Sequence, residues 1–172
     1  EWMDHGSILT YEQIVRLVGL FAALGVEKVR LTGGEPLVRK GLERLVRAIK
    51  EVPGIRRVRI TTNGLLLAEQ QPDLLAAGLD GVNLSLDTLD RVQYQALTRR
   101  DGLEQALDGL NAALAAPGLT VKVNCVPSGE NDDQLVPLAA LAKDRNLSVR
   151  FIELMPIGLG STLPRRTEAE VL

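Results

Sequence analysis

Five short runs rich in valine and isoleucine recur along the chain with helical periods between them, and within each run apolar residues alternate with polar or charged ones. Val29 and Leu31 alternate with Lys28 and Arg30, and Val58 and Ile60 with Arg59 and Thr61. Val82, Leu84 and Leu86 alternate with Asn83, Ser85 and Asp87. Val121 and Val123 stand against Lys122 and Asn124, and Val149 and Phe151 against Arg150. Successive side chains of a strand point to opposite faces, so each run has one apolar face and one polar face. Strands separated by helices imply βαβ units and a parallel sheet. A parallel sheet covered on both faces has nearly continuous apolar strands, which these are not. Burying Arg30, Lys122 and Arg150 without partners would cost several kcal/mol each, which disfavours a doubly wound sheet or a dry barrel interior. The pattern predicts an α/β fold: a curved sheet or partial barrel with helices outside and a polar lumen. A sheet with helices on one face and solvent on the other is the alternative.

The strands are predicted at Val26 to Thr32, Arg57 to Thr62, Gly81 to Leu86, Thr120 to Cys125 and Ser148 to Ile152, each bounded by turn residues. A first helix opens at Thr10, with Gln13 placed to complete a capping box, and ends at Gly25. Its predicted apolar stripe is Ile14, Leu17, Val18, Phe21 and Leu24. A second helix carries Leu42, Leu45, Val46 and Ile49 and closes at Pro53-Gly54. Others are a Leu/Ala-rich helix ending near Gly78, one through Leu103, Leu107, Leu110 and Leu114, and one through Leu135, Leu138 and Ala142. Arg39 and Lys40 read as a solvated approach to the second helix. No linker or low-complexity stretch divides residues 1–172, so they are read as one domain or part of one.

Composition narrows the function. A formal net charge of −2 and a pI near 5.5, with the basic residues scattered, give no footprint for a nucleic-acid partner. No apolar run is long enough to span a bilayer, and the first residues do not read as a signal peptide. The chain is expected to be soluble and cytoplasmic. One cysteine, Cys125, excludes a disulfide framework, a zinc knuckle or a thiolate set for an iron–sulfur cluster within these residues. One histidine, His5, excludes a self-contained histidine metal site or triad. No metal ligands are predicted. Cys125 falls on the apolar face of its strand and reads as a small buried hydrophobe.

The strand ends are polar in register: Thr32-Gly33-Gly34-Glu35-Pro36, Thr61-Thr62-Asn63-Gly64, Ser85-Leu86-Asp87, Asn124, then Glu153 and Met155-Pro156. In parallel α/β folds these ends surround one mouth. Gly33 and Gly34 remove side chains where a ligand could meet the backbone, and the acceptors there suit an ammonium group. Arg30 has a second reading as an interior ion-pair partner of Glu35 or Asp87, and Lys122 as a solvated strand residue. The Gly158-Leu159-Gly160-Ser161 stretch lacks the lysine of a phosphate loop and is read as a flexible exit.

Taken together, Thr32 to Pro36, Thr61 to Gly64, Asn83-Leu84-Ser85-Leu86-Asp87, Val121-Lys122-Val123-Asn124 and Arg150 to Pro156 resemble the radical S-adenosylmethionine superfamily. Within it they are most similar to the GTP 3′,8-cyclases of molybdenum-cofactor biosynthesis, over about Ile8 to Gly158. The resemblance implies that residues 1–172 are one incomplete barrel domain, a partial (β/α) TIM-like barrel whose mouth holds a [4Fe–4S] cluster that cleaves S-adenosylmethionine reductively. The resulting radical takes the C3′ hydrogen of GTP, and C3′ bonds to C8, giving (8S)-3′,8-cyclo-7,8-dihydroguanosine 5′-triphosphate. It implies that Gly33, Gly34 and Glu35 hold the methionyl amino group, with Ser85 and Met155 also touching S-adenosylmethionine. Arg30, Thr61 and Lys122 match GTP-contacting positions; Arg and Lys complement triphosphate oxygens and Thr61 can donate a hydrogen bond. Asn63, Asn124 and Arg150 face the same lumen as further candidate contacts. A homodimer and a downstream molybdopterin-pathway enzyme are the partners implied.

The sequence departs from that family in lacking its Cys-x-x-x-Cys-x-x-Cys run and its second cysteine set. The reading adopted is the middle section of an enzyme whose clusters are held elsewhere. Another radical S-adenosylmethionine enzyme, such as a peptide-modifying maturase, and a cluster-free nucleotide-binding barrel module are the alternatives.

Overall fold

The computed structural model describes residues 8–155, 164 and 166–171; His5, Pro156 and the Gly158-Leu159-Gly160-Ser161 stretch lie outside them. Five parallel strands pair in chain order: β1 (Lys28–Leu31), β2 (Arg57–Thr62), β3 (Gly81–Ser85), β4 (Thr120–Cys125) and β5 (Leu147–Phe151). Between them run α2 (Leu42–Lys50), α3 (Leu67–Ala76), α4 (Arg91–Thr98), α5 (Leu103–Ala115) and α6 (Leu135–Ala140). The first helix, α1 (Tyr11–Ala23), precedes β1, and α7 (Glu168–Val171) follows β5. An order that never reverses is the order of a barrel; a doubly wound sheet reverses at its switch point. Successive crossovers of one hand then place the connecting helices on the same face.

That face is the core. Val58, Ile60, Val82, Leu84, Val121 and Val123 are buried on it. They meet Leu42, Leu45, Val46 and Ile49 of α2, Leu67 and Leu74 of α3, and Leu103, Ala106 and Leu110 of α5. Cys125 is fully buried among them, as its strand position requires. The Asp80 carboxylate ties the start of β3 to its neighbours, accepting from Val58 N at 2.7 Å and Lys50 Nζ at 2.9 Å.

Several expectations are corrected. The capping box at Thr10 and Gln13 forms, and of the predicted stripe Val18 is buried and Ile14 packs against the core, but Tyr11, Val15 and Ala22 pack inward in place of the other three. Leu17, Phe21 and Leu24 are 40%, 52% and 82% exposed, because α1 leans on α2 while β1 is the sheet's edge with no described residue beyond it. β1 starts at Lys28, since Val26 N is bonded to the α1 turn at Phe21 O and Glu27 O accepts from Arg56 and Arg57. β3 ends at Ser85, and β5 runs one residue earlier than predicted, at Leu147–Phe151. Ala142 lies beyond α6 in a turn onto Ala139 O. Arg39 is a brace and not a solvated side chain: its guanidinium sits 4.3 Å from the Tyr11 ring centroid and donates to Leu9 O at 2.6 Å. Helix α4 was not anticipated, although Asp90 caps it by accepting from Gln93 N at 2.7 Å.

Two helical glycines separate intrinsic helix preference from packing. Gly19 of α1 has open space where a Cβ would stand, whereas a Cβ on Gly109 of α5 would run into the Gly64 carbonyl and Leu67. We expect Gly19→Ala to raise the unfolding free energy by about 0.5–1 kcal/mol. Gly109→Ala is expected to lower it by about 1–3 kcal/mol despite the same gain in helix preference. Urea denaturation of the two variants decides this, and equal effects would contradict the packing assigned to α5.

Candidate functional site

The helix-free face carries the alternate residues of each strand, and the register arranges them in rows. Arg30 lies beside Arg59, and Arg59 beside Gly81 and then Thr120. In the next row Thr61 lies beside Asn83, then Lys122, then Ser148. Nearer the strand ends Ser85 lies beside Asn124, and Asn124 beside Arg150. The structure thus brings Arg30, Thr61, Ser85, Lys122, Asn124 and Arg150 onto one surface. Arg30 and Arg150 are exposed and Lys122 is half-buried, so none is sealed in apolar surroundings.

The electrostatics of that surface are one-sided. Partial burial, with the charges of Arg150, Arg59 and Arg30, holds the Lys122 ammonium below the ordinary lysine value. Among the described residues, no carboxylate lies within ion-pair distance of Arg30, Arg59, Lys122 or Arg150. The alternative pairing of Arg30 with Glu35 or Asp87 is absent there. Both acids are engaged otherwise: Asp87 accepts from Val126 N at 2.7 Å, and burial pushes its carboxyl above the usual range.

Glu35 organises the mouth. One of its oxygens accepts from Leu37 N at 3.0 Å and Thr62 Oγ1 at 2.7 Å, and the other from Asn63 N at 2.7 Å. A carboxylate has about four lone-pair sites, so one is left for an incoming donor. Gly33 and Gly34 have open space where a Cβ would stand, which leaves the backbone of this loop approachable. Asn63 braces its own loop, its Oδ1 accepting from Leu65 N at 3.0 Å. Asn131, fully buried, laces the far side by donating to Asp87 O at 2.8 Å and Val126 O at 3.2 Å. Met155 is exposed just beyond β5.

Two residues on this face were not singled out from sequence. Arg59 stands out in the sequence only as a polar member of an alternation and Asn83 only as that and as the first residue of a family motif, yet Arg59 Nε and Asn83 Nδ2 are buried without a hydrogen-bond partner. Asn124 Oδ1 is a third such atom. Cys125 offers no ligand to the site: burial first, then the Asp87 carboxylate, pushes its thiol up to about 12. No group of three or more metal-ligating side chains occurs among the described residues, and no helix among them is long and apolar enough to cross a membrane.

Known proteins resemble this arrangement. Residues 1–142 match the Radical SAM superfamily. A GTP 3′,8-cyclase of Pelotomaculum thermopropionicum is 50% identical over 161 residues, covering 93% of this chain and 50% of that protein. Those of Heliobacterium modesticaldum (47% over 161 residues; 93% of this chain and 49% of that one) and Chlorobaculum tepidum (50% over 142 residues; 82% and 43%) are similar. The chain spans about half the length of these curated relatives. Among solved structures, HydG, a maturase of the [FeFe]-hydrogenase, superposes with a TM-score of 0.71 at 16% identity, over 95% of this chain and 40% of that one. Coproporphyrinogen III oxidase from Escherichia coli gives 0.60 at 17%, over 93% and 42%. The fold is therefore a section of a (β/α) barrel with five parallel strands and outer helices.

The buried thiol yields a direct test. A thiol pKa raised from 9.0 to about 12 means that the folded state keeps a proton the unfolded chain gives up. Its contribution to stability is present below pH 9.0 and is lost as pH rises towards 12. We expect Cys125 to resist iodoacetamide at pH 8 in the native state and to react at the rate of global unfolding. Rapid native alkylation would show the strand placement to be wrong.

Proposed function

This chain belongs to the radical SAM superfamily, and from that premise we propose that it is the nucleotide-binding section of a GTP 3′,8-cyclase acting in molybdenum-cofactor biosynthesis. The observation that carries the reading is the convergence of Arg30, Arg59 and Arg150 on Lys122 with no carboxylate among them. Four cations on one strand face, left without counterions, suit a polyanion such as a triphosphate. The similarity to curated GTP 3′,8-cyclases supports the same substrate.

In this reading Arg30 and Lys122 neutralise the triphosphate, Thr61 donates a hydrogen bond, and Asn63, Asn124 and Arg150 are further contacts along the lumen. S-adenosylmethionine fits the mouth. Its ammonium meets the free lone-pair site of Glu35 and the open backbone at Gly33 and Gly34, with Ser85 and Met155 beside it. When bound, it supplies the group that removes hydrogen from the substrate. The iron–sulfur cluster that the superfamily employs does not fit this chain, whose single cysteine is buried and kept protonated. Its ligands belong to other parts of the enzyme. A homodimer and a downstream molybdopterin-pathway enzyme are the assembly and partner that follow from this reading.

The test is anaerobic reconstitution of the complete protein with iron and sulfide, followed by assay of GTP conversion and 5′-deoxyadenosine release. Both are expected, and guanine-nucleotide selectivity in titration calorimetry separates this activity from that of a peptide-modifying maturase. Absence of both products with iron incorporated would refute the reading. Lys122 supplies a second check. Its charge is held at a disadvantage in the free protein, so Lys122→Gln is expected to raise the thermal midpoint of the ligand-free protein while weakening GTP binding. A variant that loses stability and keeps its affinity for GTP would count against the site.

A further inference from the structure

We propose that Arg59 and Asn83 form the floor of the anion pocket, each donating a hydrogen bond to a phosphate oxygen of the bound nucleotide. This rests on the reading of the lumen as a nucleotide site and adds two residues to it. Asn83 is 1% exposed, and its Nδ2 has no acceptor; Arg59 Nε is likewise buried and unpartnered. Buried donors are almost always paired in folded proteins, so two orphans on one face of adjacent strands call for a missing acceptor.

The backbone explains how they come together. Arg59 of β2 pairs in register with Gly81 of β3. A Cβ at Gly81 would stand 3.3 Å from both Cγ and Nε of Arg59 and 3.0 Å from the Thr120 carbonyl oxygen. The missing side chain therefore lets Arg59 lie across β3 towards β4. Asn83 follows on the same face of β3, between Thr61 on one side and Lys122 on the other. Arg59, Asn83 and Lys122 are thus contiguous, and Lys122 feels the Arg59 charge.

The surroundings decide the chemistry of the acceptor. No described carboxylate pairs with Arg30, Arg59, Lys122 or Arg150. Arg30 and Arg59 also line a groove at the strand beginnings with Lys28, Arg57 and Thr120, where the one lining carboxylate, Glu27, is paired with Arg56 at 3.3 Å and Arg57 with Asp80 at 3.5 Å. An acceptor placed among these cations is favoured when it carries negative charge, as phosphate oxygens do and the neutral acceptors of a purine do not. The unpartnered group nearer the strand ends, Asn124 Oδ1, is an acceptor instead. Donors at the floor and an acceptor towards the mouth orient a nucleotide with its phosphates on the Arg59 and Asn83 side.

The experiment is equilibrium titration of the complete protein and its Arg59→Lys, Asn83→Ala and Asn83→Asp variants with GTP, ATP, guanosine and inorganic triphosphate. Unfolding midpoints are measured alongside. Arg59→Lys keeps the charge and removes Nε–H, and is expected to weaken GTP and inorganic triphosphate about tenfold. Asn83→Ala should cost about as much, and Asn83→Asp about a hundredfold, since it sets a carboxylate against phosphate. Guanosine affinity should not change. Folded variants that bind GTP like wild type, or that lose guanosine and GTP equally, would overturn the proposal. The half-buried Arg59 position keeps the test decisive if the Asn83 variants do not fold. Should wild type bind inorganic triphosphate, and the variants lose it, while GTP shows no preference over ATP, the guanine reading fails and the anion floor stands.

Discussion

The structure depends on the division of labour between the two faces of its sheet. Val58, Ile60, Val82, Leu84, Val121 and Val123 are buried beneath helices, and each contributes about 1.5–3 kcal/mol by leaving water. The opposite face carries Arg30, Arg59, Lys122 and Arg150 without counterions. Two like charges at the spacing of neighbouring strands repel by about 1 kcal/mol where water screens them. The apolar face outweighs that cost, which lets the other keep its cations uncompensated. Asn83 and Arg59 extend the same logic to hydrogen bonding, because their unpaired donors are a local disadvantage that the helix side tolerates.

The mouth is held by a different kind of interaction. Glu35 joins the loop after β1 to the end of β2 through two hydrogen bonds and braces its own loop through a third, and Asn131 joins the segment after β3 to the end of β4 through the Asp87 and Val126 carbonyls. These connections are largely buried, where a satisfied polar network is rigid and a broken one costly. Loops that would otherwise drift are thereby set before any ligand arrives, which lowers the ordering cost of binding. Three acceptor sites of Glu35 brace the loops, and one is left for an incoming donor.

What was legible in the sequence follows from which forces are local. β2 and β4 ran as predicted because period-two alternation and flanking turn residues both reside in the strand itself. The four apolar positions of α2 were likewise all buried, for its stripe is narrow and its other side charged. Helix α1 has apolar residues all round, so periodicity could not say which side turns inward; its contact with α2 decided. Arg39 was misread because its partners, Tyr11 and Leu9, lie in another helix and its approach. Gly33, Gly34, Glu35, Arg30, Thr61 and Lys122 stood out because motifs and family resemblance mark strand ends and charges. Arg59 and Asn83 did not, since their significance comes from burial without a partner and from the absence of a side chain at Gly81 across the strand pair. None of these is a property of a single segment.

A lumen of this kind is electrostatically unfinished in the free protein, and that bears on how it selects a ligand. Balancing Arg30, Arg59, Lys122 and Arg150 with internal carboxylates would leave an approaching phosphate to displace a partner already in place, at the price of a broken ion pair. Without such partners, the same phosphate relieves repulsion and satisfies buried donors in one step. The gain is largest for the most highly charged group that fits, so the proposed nucleotide reading favours a triphosphate over a monophosphate before any contact with the base is made. In the proposed reading, discrimination among bases then comes from the mouth side of the lumen, where Asn124 presents an acceptor. On that same proposed reading the cations set affinity for the phosphates, and the neutral polar groups near the mouth set the orientation of the rest.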